Sequence, residues 1–510
     1  MTKRLLAGAL LIAACGAVGC AANAAPATPS APTASPRTQA ASTRAVRQLR
    51  DDLTRVFGAK VMARGVWGVE VRSLQSGERL FEMNAGKLMM PASNMKVVTL
   101  AATAETLGWD YRFTTTLETT ASVHDGVLGG DLIVRSNGDP TINRRENRAA
   151  AVIDQWADAL RAAGIQEIAG RIIGDDQAFD DEGIGDGWSW DYLQFGYAAP
   201  VGALQINENI AQLMVVPSAR AGEPAFVTLS PGAGFTLLNR ATTGAEGSED
   251  TIEYRRHLDS PILEVSGSAP IGGQTATRSV AVANPTIFFV ETLKDGLAER
   301  GIRTKGDAVD IDDVAGELMN GSETRRVLVS TESPPLKEIA TVLMKVSQNL
   351  YAETFMKAIG TARGGLGTAS GGRTTIRGIL SEWGVPNDSY VISDGSGLSR
   401  YNYLSPEMIT TVLERMFKDD RHREPFVATL PIAGRDGTIA TRMRRTRAEG
   451  NAAAKTGSIA NARSLSGFVR TRDNEMLVFS ILANDFVIPS DMVNWIADLG
   501  VETLSNFTRR

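Results

Sequence analysis

The sequence predicts an α+β fold: a catalytic body of helices and antiparallel strands, interrupted by a long β-rich insertion. Two observations carry that reading. Both ends of the chain mix helical periodicity with β-hairpins, whereas residues 115–328 consist of short apolar runs broken by Gly, Asn and Asp. Three short polar segments that could make one site, Ser93-Asn94-Met95-Lys96, Ser347-Gln348-Asn349 and Lys455-Thr456-Gly457-Ser458, all fall outside that insertion. At 510 residues the chain should hold more than one domain.

The chain opens with a targeting pattern. Lys3 and Arg4 precede an apolar stretch at 5–14, too short to span a bilayer, and Ala22-Asn23-Ala24 reads as a cleavage site. Ile12-Ala13-Ala14-Cys15, and less well Ala17-Val18-Gly19-Cys20, resemble lipid-attachment sites. Cleavage of residues 1–24 and lipid anchoring both remain open, and both imply export to the periplasm or cell envelope. The only cysteines are Cys15 and Cys20, so cleavage after Ala24 leaves no thiol for disulfides, thiolate metal sites or cysteine catalysis. Residues 25–43 are rich in Ala, Pro, Ser and Thr and read as a flexible tether.

Residues 45–57 place Val46, Leu49, Leu53, Val56 and Phe57 on one helical face, with Gly58 as the stop. Residues 67–72 and 78–83 flank Ser76-Gly77 as a hairpin. Pro91 introduces a helix to about Leu107, ended by Gly108. Within the insertion, strands are expected at 131–135, 225–229 and 262–265, turns at Asp125-Gly126 and Gly129-Gly130, an exposed loop at 240–250, and helices at 149–163 and 287–300. Helices return at 336–346 and 350–359. The chain closes on a hairpin of residues 464–471 and 476–483, then an amphipathic helix from 491.

Composition narrows the function. With 43% hydrophobic and 22% charged residues and a net charge of −5, the protein is an ordinary globular chain, and no basic patch argues for nucleic acid. The three histidines, His124, His257 and His422, all lie far in sequence from the three segments, and no H-E-x-x-H occurs. A Ser-His-Asp triad or a zinc protease is therefore hard to build, and no metal or other cofactor is expected.

The chemistry must then rest on lysine. Ser93 and Lys96, three apart, share a helical face, and Ser93 lies near a helix start whose N–H groups favour negative charge. Lys96 can accept the hydroxyl proton only when neutral, which a desolvated site beside a second cation promotes. Ser347 and Asn349, at a helix–helix junction, can relay a proton and orient the substrate amide and Lys96. Lys455, Thr456 and Ser458 supply positive potential and hydroxyls for a carboxylate. Gly457 permits close approach, and the N–H groups of Ser93 and Ser458 can form an oxyanion hole.

Together these segments resemble the class C low-molecular-mass penicillin-binding proteins, the D-alanyl-D-alanine carboxypeptidase/endopeptidase family. Further stretches carry the likeness: Ser136 to Thr141 (S-N-G-D-P-T), Ala199 to Asn209, Asp394 to Arg400 (D-G-S-G-L-S-R) and Leu430 to Thr438. The resemblance implies a penicillin-binding (serine β-lactamase-like) domain at 44–116 and 329–510, an inserted domain at 117–176 and 260–328, and a nested third domain at 177–259. It implies Ser93 as nucleophile, Lys96 as base, Ser347 and Asn349 as relay and orienting groups, and Lys455, Thr456 and Ser458 as carboxylate and oxyanion contacts. It also implies that Ser396 and Arg400 lie beside the substrate side chain, and that Asp191 meets an ammonium group. The substrate would be a peptidoglycan peptide, with β-lactams as inhibitors. A β-lactamase or esterase using the same site, and a non-catalytic peptidoglycan-binding protein, are the alternatives. The sequence leaves the oligomeric state and the balance of carboxypeptidase and endopeptidase action open.

Overall fold

The computed structural model describes residues 36–509, apart from 233, 258–259, 274 and 319–323. The targeting segment, both cysteines and residues 25–35 of the expected tether lie outside the described residues.

The catalytic body is a three-layer α/β/α sandwich around an antiparallel sheet. In spatial order its strands are Arg79–Met83, Val66–Ser73, Met476–Asn484, Ala462–Arg470 and Ala453–Ile459. One face is covered by the helices Pro36–Phe57 and Ser490–Asn506. Leu49, Leu53 and Phe57 pack there with Ile496, Val501 and Leu504, each fully or almost fully buried. Burial of side chains of this size contributes roughly 1.5–3 kcal/mol each. The other face carries Met95–Leu107, Leu336–Lys345, Asn349–Gly360 and Pro406–Lys418, which form the largest apolar core. The first and last described helices thus meet on one side of the sheet, and the helices that carry Lys96 and Asn349 lie on the other.

Most expected elements appear within a few residues, including both hairpins and the helix ended by Gly108, whose φ is +78°. The expected tether at 25–43 is corrected at its C-terminal end, because 36–43 are helical. Pro36, at the first helical position, lacks only an N–H that has no intrahelical acceptor there, so the helix reaches back to it. The helix Met95–Leu107 is preceded by a 3-10 turn, Ala92–Asn94, that contains Ser93.

The insertion builds two separate cores. The first surrounds a mixed sheet in the order Ala308–Asp310, Ile172–Asp175, Leu132–Ser136, Thr114–Thr119 and Arg326–Glu332, backed by the helices Arg148–Ala162 and Pro285–Glu299. The second is an all-β module in which Ile210–Val216 pairs with both Phe226–Ser230 and Ala276–Ala281. Strand pairing corrects the expected domain boundaries. The strands Ile262–Ser266, Ser268–Pro270 and Ala276–Ala281 belong with this nested module, not with the first inserted sheet. Strands Thr114–Thr119 and Arg326–Glu332 pair with each other, so both margins of the insertion enter its sheet. The loop expected at 240–250 contains a short strand, Thr242–Gly244, paired in parallel with Ser268–Pro270.

Candidate active site

The three segments converge on one cleft of about 440 Å³, lined by Ser93, Ser347, Asn349, Thr456 and Ser458 together with Tyr192 and Tyr197 from the insertion. Ser93 lies at the mouth of the 3-10 turn, and one turn later Lys96 points back at it. Lys96 Nζ is 3.0 Å from Ser93 Oγ, 2.6 Å from Asn349 Oδ1 and 2.7 Å from the Ser396 carbonyl oxygen. Lys96 is fully buried. Burial brings its ammonium down to about 7, although Asp394 and Glu353 pull in the opposite direction. Near neutral pH a substantial fraction of Lys96 is therefore a free amine, within hydrogen-bonding distance of the hydroxyl it would deprotonate.

Lys455 rises from the outer strand of the sheet, Ala453–Ile459, and donates to Ser347 Oγ and to the Thr456 carbonyl, both at 2.8 Å. Burial first, and Lys96 second, hold it well below the ordinary lysine value. The strand is clamped to the turn that carries Ser93: Asn94 Nδ2 donates to the Lys455 carbonyl at 2.9 Å, and from the neighbouring strand Ala462–Arg470 Ser464 Oγ donates to the Pro91 carbonyl at 2.7 Å. The clamp leaves no room at Gly457. A Cβ there would lie 2.8 Å from the Ser93 nitrogen and 2.7 Å from the Pro91 oxygen. Gly397 is as constrained, with φ +85° and a notional Cβ 1.8 Å from the Ala92 oxygen.

The softer expectations are redirected. Ser396 is fully buried, its hydroxyl 3.3 Å from Asp394 Oδ2 and accepting the Leu398 N–H. Its side chain does not line the cleft, and it reaches the site only through its carbonyl on Lys96. Arg400 is not among the cleft's lining residues, but its guanidinium lies 3.4 Å from the hydroxyl of Tyr192, which is. Asp191 is exposed, accepts from Ser189 Oγ and lines a neighbouring polar pocket with Trp190 and Tyr254. The histidines pair elsewhere: His422 with Glu105 and Trp109, His257 with Glu264 and His124 with Ser122.

Sequence reasoning missed several neighbours of the site. Tyr197 accepts the Asn349 amide on its carbonyl at 2.7 Å, and Thr438 accepts from Thr456 Oγ1 at 2.7 Å. Asp394 accepts from Gly397, Ser399, Asn402 and Trp188 at 2.6–2.9 Å. Asp394 and Thr438 sat inside segments already singled out. Glu353 carried only the signal of its place, one helical turn beyond Asn349.

A buried lysine amine 3.0 Å from a serine hydroxyl, on a helix packed against an antiparallel sheet, fits a serine hydrolase of the penicillin-binding class. The family model for the D-Ala-D-Ala carboxypeptidase 3 (S13) family matches residues 49–502, and the chain belongs to that family of serine peptidases. A D-alanyl-D-alanine carboxypeptidase of Actinomadura sp. (strain R39) is 33% identical over 472 residues, covering 90% of this chain and 85% of its own. The carboxypeptidase DacB of Haemophilus influenzae is 26% identical over 430 residues, covering 82% and 85%. The crystal structure of penicillin-binding protein 4 from H. influenzae shares the fold, with a TM-score of 0.77 at 24% identity, over 90% of this chain and 99% of that one. The same protein with a bound β-lactam aligns with a TM-score of 0.71 at 23% identity.

Proposed function

We propose that the protein hydrolyses D-Ala-D-Xaa bonds in peptidoglycan stem peptides or cross-links through an acyl-enzyme on Ser93, and that penicillin acylates the same hydroxyl. The observation that carries this reading is the 3.0 Å contact between Ser93 Oγ and an amine held near neutrality by burial. Lys96 takes the hydroxyl proton as Ser93 attacks the carbonyl, a contribution of about 10²–10⁴-fold in rate. The N–H groups of Ser93 and Ser458 hold the oxyanion, each worth about 10²–10³-fold. The proton passes through Lys96 and Ser347 to the departing amine, which is D-alanine or a cross-linked stem. Water then releases the acyl group. Thr456, Ser458 and Thr438 offer hydroxyls to the terminal carboxylate, and Lys455 its charge.

The targeting pattern supports export to the periplasm or cell envelope, with cleavage after Ala24 or lipid attachment as the two fates. Among the described residues no helix is long and apolar enough to cross a membrane. Mass spectrometry after incubation with labelled penicillin tests the reading. A long-lived adduct on Ser93, absent in Ser93→Ala, is expected, and a label elsewhere sinks it. Rapid turnover of the label would favour a β-lactamase instead. N-terminal analysis of the same sample distinguishes the two processing fates.

A further inference from the structure

The Gly395-Ser396 dipeptide is held as a plate between two helices. On one side Glu353, from the helix Asn349–Gly360, accepts the Gly395 N–H at 3.0 Å and the Ser396 N–H at 2.8 Å, one on each carboxylate oxygen. On the other side the two carbonyls face the nucleophile helix. The Ser396 oxygen accepts from Lys96 Nζ and the Gly395 oxygen from Thr99 Oγ1, both at 2.7 Å. Glu353 is buried, and among the described residues it forms no ion pair and its hydrogen bonds are to this plate alone. A plate that needed only fastening could be held by neutral groups. A carboxylate taken out of water, with a second acid nearby, is a costly choice unless its charge is used.

We propose that Glu353 is a positioning residue for Lys96: through the Gly395-Ser396 plate it fixes the amine and brings a negative charge to bear on it. The proposal rests on the assignment of Lys96 as base. The charged groups facing Lys96 are Glu353 from its helix, Asp394 from the loop and Lys455 from the outer strand. The two acids favour the ammonium; burial opposes it. Asp394 is committed to its own loop and to Trp188, whose bonds it accepts on both oxygens. Glu353 has only the plate's two N–H groups to satisfy it. Burial, then Asp394, pushes its carboxyl up to about 7, while the plate's N–H groups work the other way. Glu353 and Lys96 thus lie in the same pH range, and the charge on Glu353 bears on Lys96.

The test is the rate of Ser93 acylation by labelled penicillin against pH, in the full chain and in Glu353→Gln, Glu353→Asp and Thr99→Val. Glu353→Gln removes the charge, so Lys96 loses its proton more readily. The midpoint is expected to fall by about 1 pH unit. The plateau rate should fall up to about tenfold, because the Gln amide must face one plate N–H without accepting it. Glu353→Asp keeps the charge, and Thr99→Val cuts only the mechanical tie. Both should lower the plateau and leave the midpoint in place. A wild-type midpoint in folded Glu353→Gln, with the label still on Ser93, overturns the proposal while leaving the enzyme assignment standing. A label that never reaches Ser93 in the wild-type protein overturns the assignment itself. Should Glu353→Gln not fold, ¹³C-glutamate NMR of the wild-type protein decides. One buried carboxyl titrating in the pH range of the acylation midpoint is expected, and its absence overturns the proposal.

Discussion

At the scale of single residues, the cleft holds two buried lysines in different electrostatic settings. Lys96 sits near 7 because burial outweighs its two acidic neighbours. The acylation rate should therefore fall about tenfold per pH unit below that midpoint and level off above it, as read by labelled penicillin from about pH 5 to about pH 9. The same burial bears on stability with a defined sign. The unfolded chain holds the extra proton between about 7 and 10.5, so folding is penalised at neutral pH and the penalty shrinks as pH rises through that window. Lys455 is held well below its ordinary value, and among the described residues its ammonium bonds to the Ser347 hydroxyl and the Thr456 carbonyl rather than to an acid. A substrate or penicillin carboxylate would bring the missing counter-charge, so binding should take up a proton. Calorimetry in buffers of different ionisation enthalpy checks this, and a binding heat independent of buffer argues against it. Asn349→Ala removes the amide that steadies Lys96 and should cost about 10²-fold or more in acylation rate.

At the scale of elements, the outer strand and the nucleophile turn act as one unit. Gly457→Ala pushes a methyl into two backbone atoms, the Ser93 nitrogen and the Pro91 oxygen, that cannot rotate away. Acylation should drop by about 10²-fold or more, with a stability loss of about 1–3 kcal/mol in thermal melting. An unchanged rate would mean that the strand does not fix the oxyanion donors. This scale also shows what the sequence could convey. Ser93 and Lys96 were legible because helical spacing alone puts them together, and Lys455 to Ser458 because a Gly within a polar strand signals close backbone approach. The helix around Glu353 was legible as a buried helix, but an acid on its inner face looks like any solvated one until its amide partners, over 40 residues away, are in place. Ser396 was misread because a D-G-S-G loop does not show which way its hydroxyls turn. Here the Gly397 turn, held on Asp394, directs the Ser396 hydroxyl inward.

At the scale of the whole molecule, the insertion could be read as β-rich but not partitioned. The strand Ile210–Val216 finds its second partner at Ala276–Ala281, and nothing local announces a pairing of that range. The insertion is riveted to the catalytic body by polar contacts as well as packing. Lys357, buried in the body's core, meets the Asp180 carboxylate and its carbonyl, Asn143 donates to Tyr351 Oη at 2.8 Å, and Trp188 to Asp394 at 2.9 Å. Lys357→Met leaves Asp180 unpaired but partly open to solvent. The expected loss is about 1–3 kcal/mol in chemical denaturation, below that of a fully enclosed pair. One further rivet reaches the chemistry: the Tyr197 carbonyl that carries the Asn349 amide. Through it the catalytic centre has a handle on its outer side. A displacement of about 1 Å at such a contact can cost about 10²-fold in rate. An antibody fragment that grips the stretch around Tyr197 would thus slow turnover in two ways, by shifting the Asn349 amide and, since Tyr197 also lines the cleft, by crowding the space penicillin occupies.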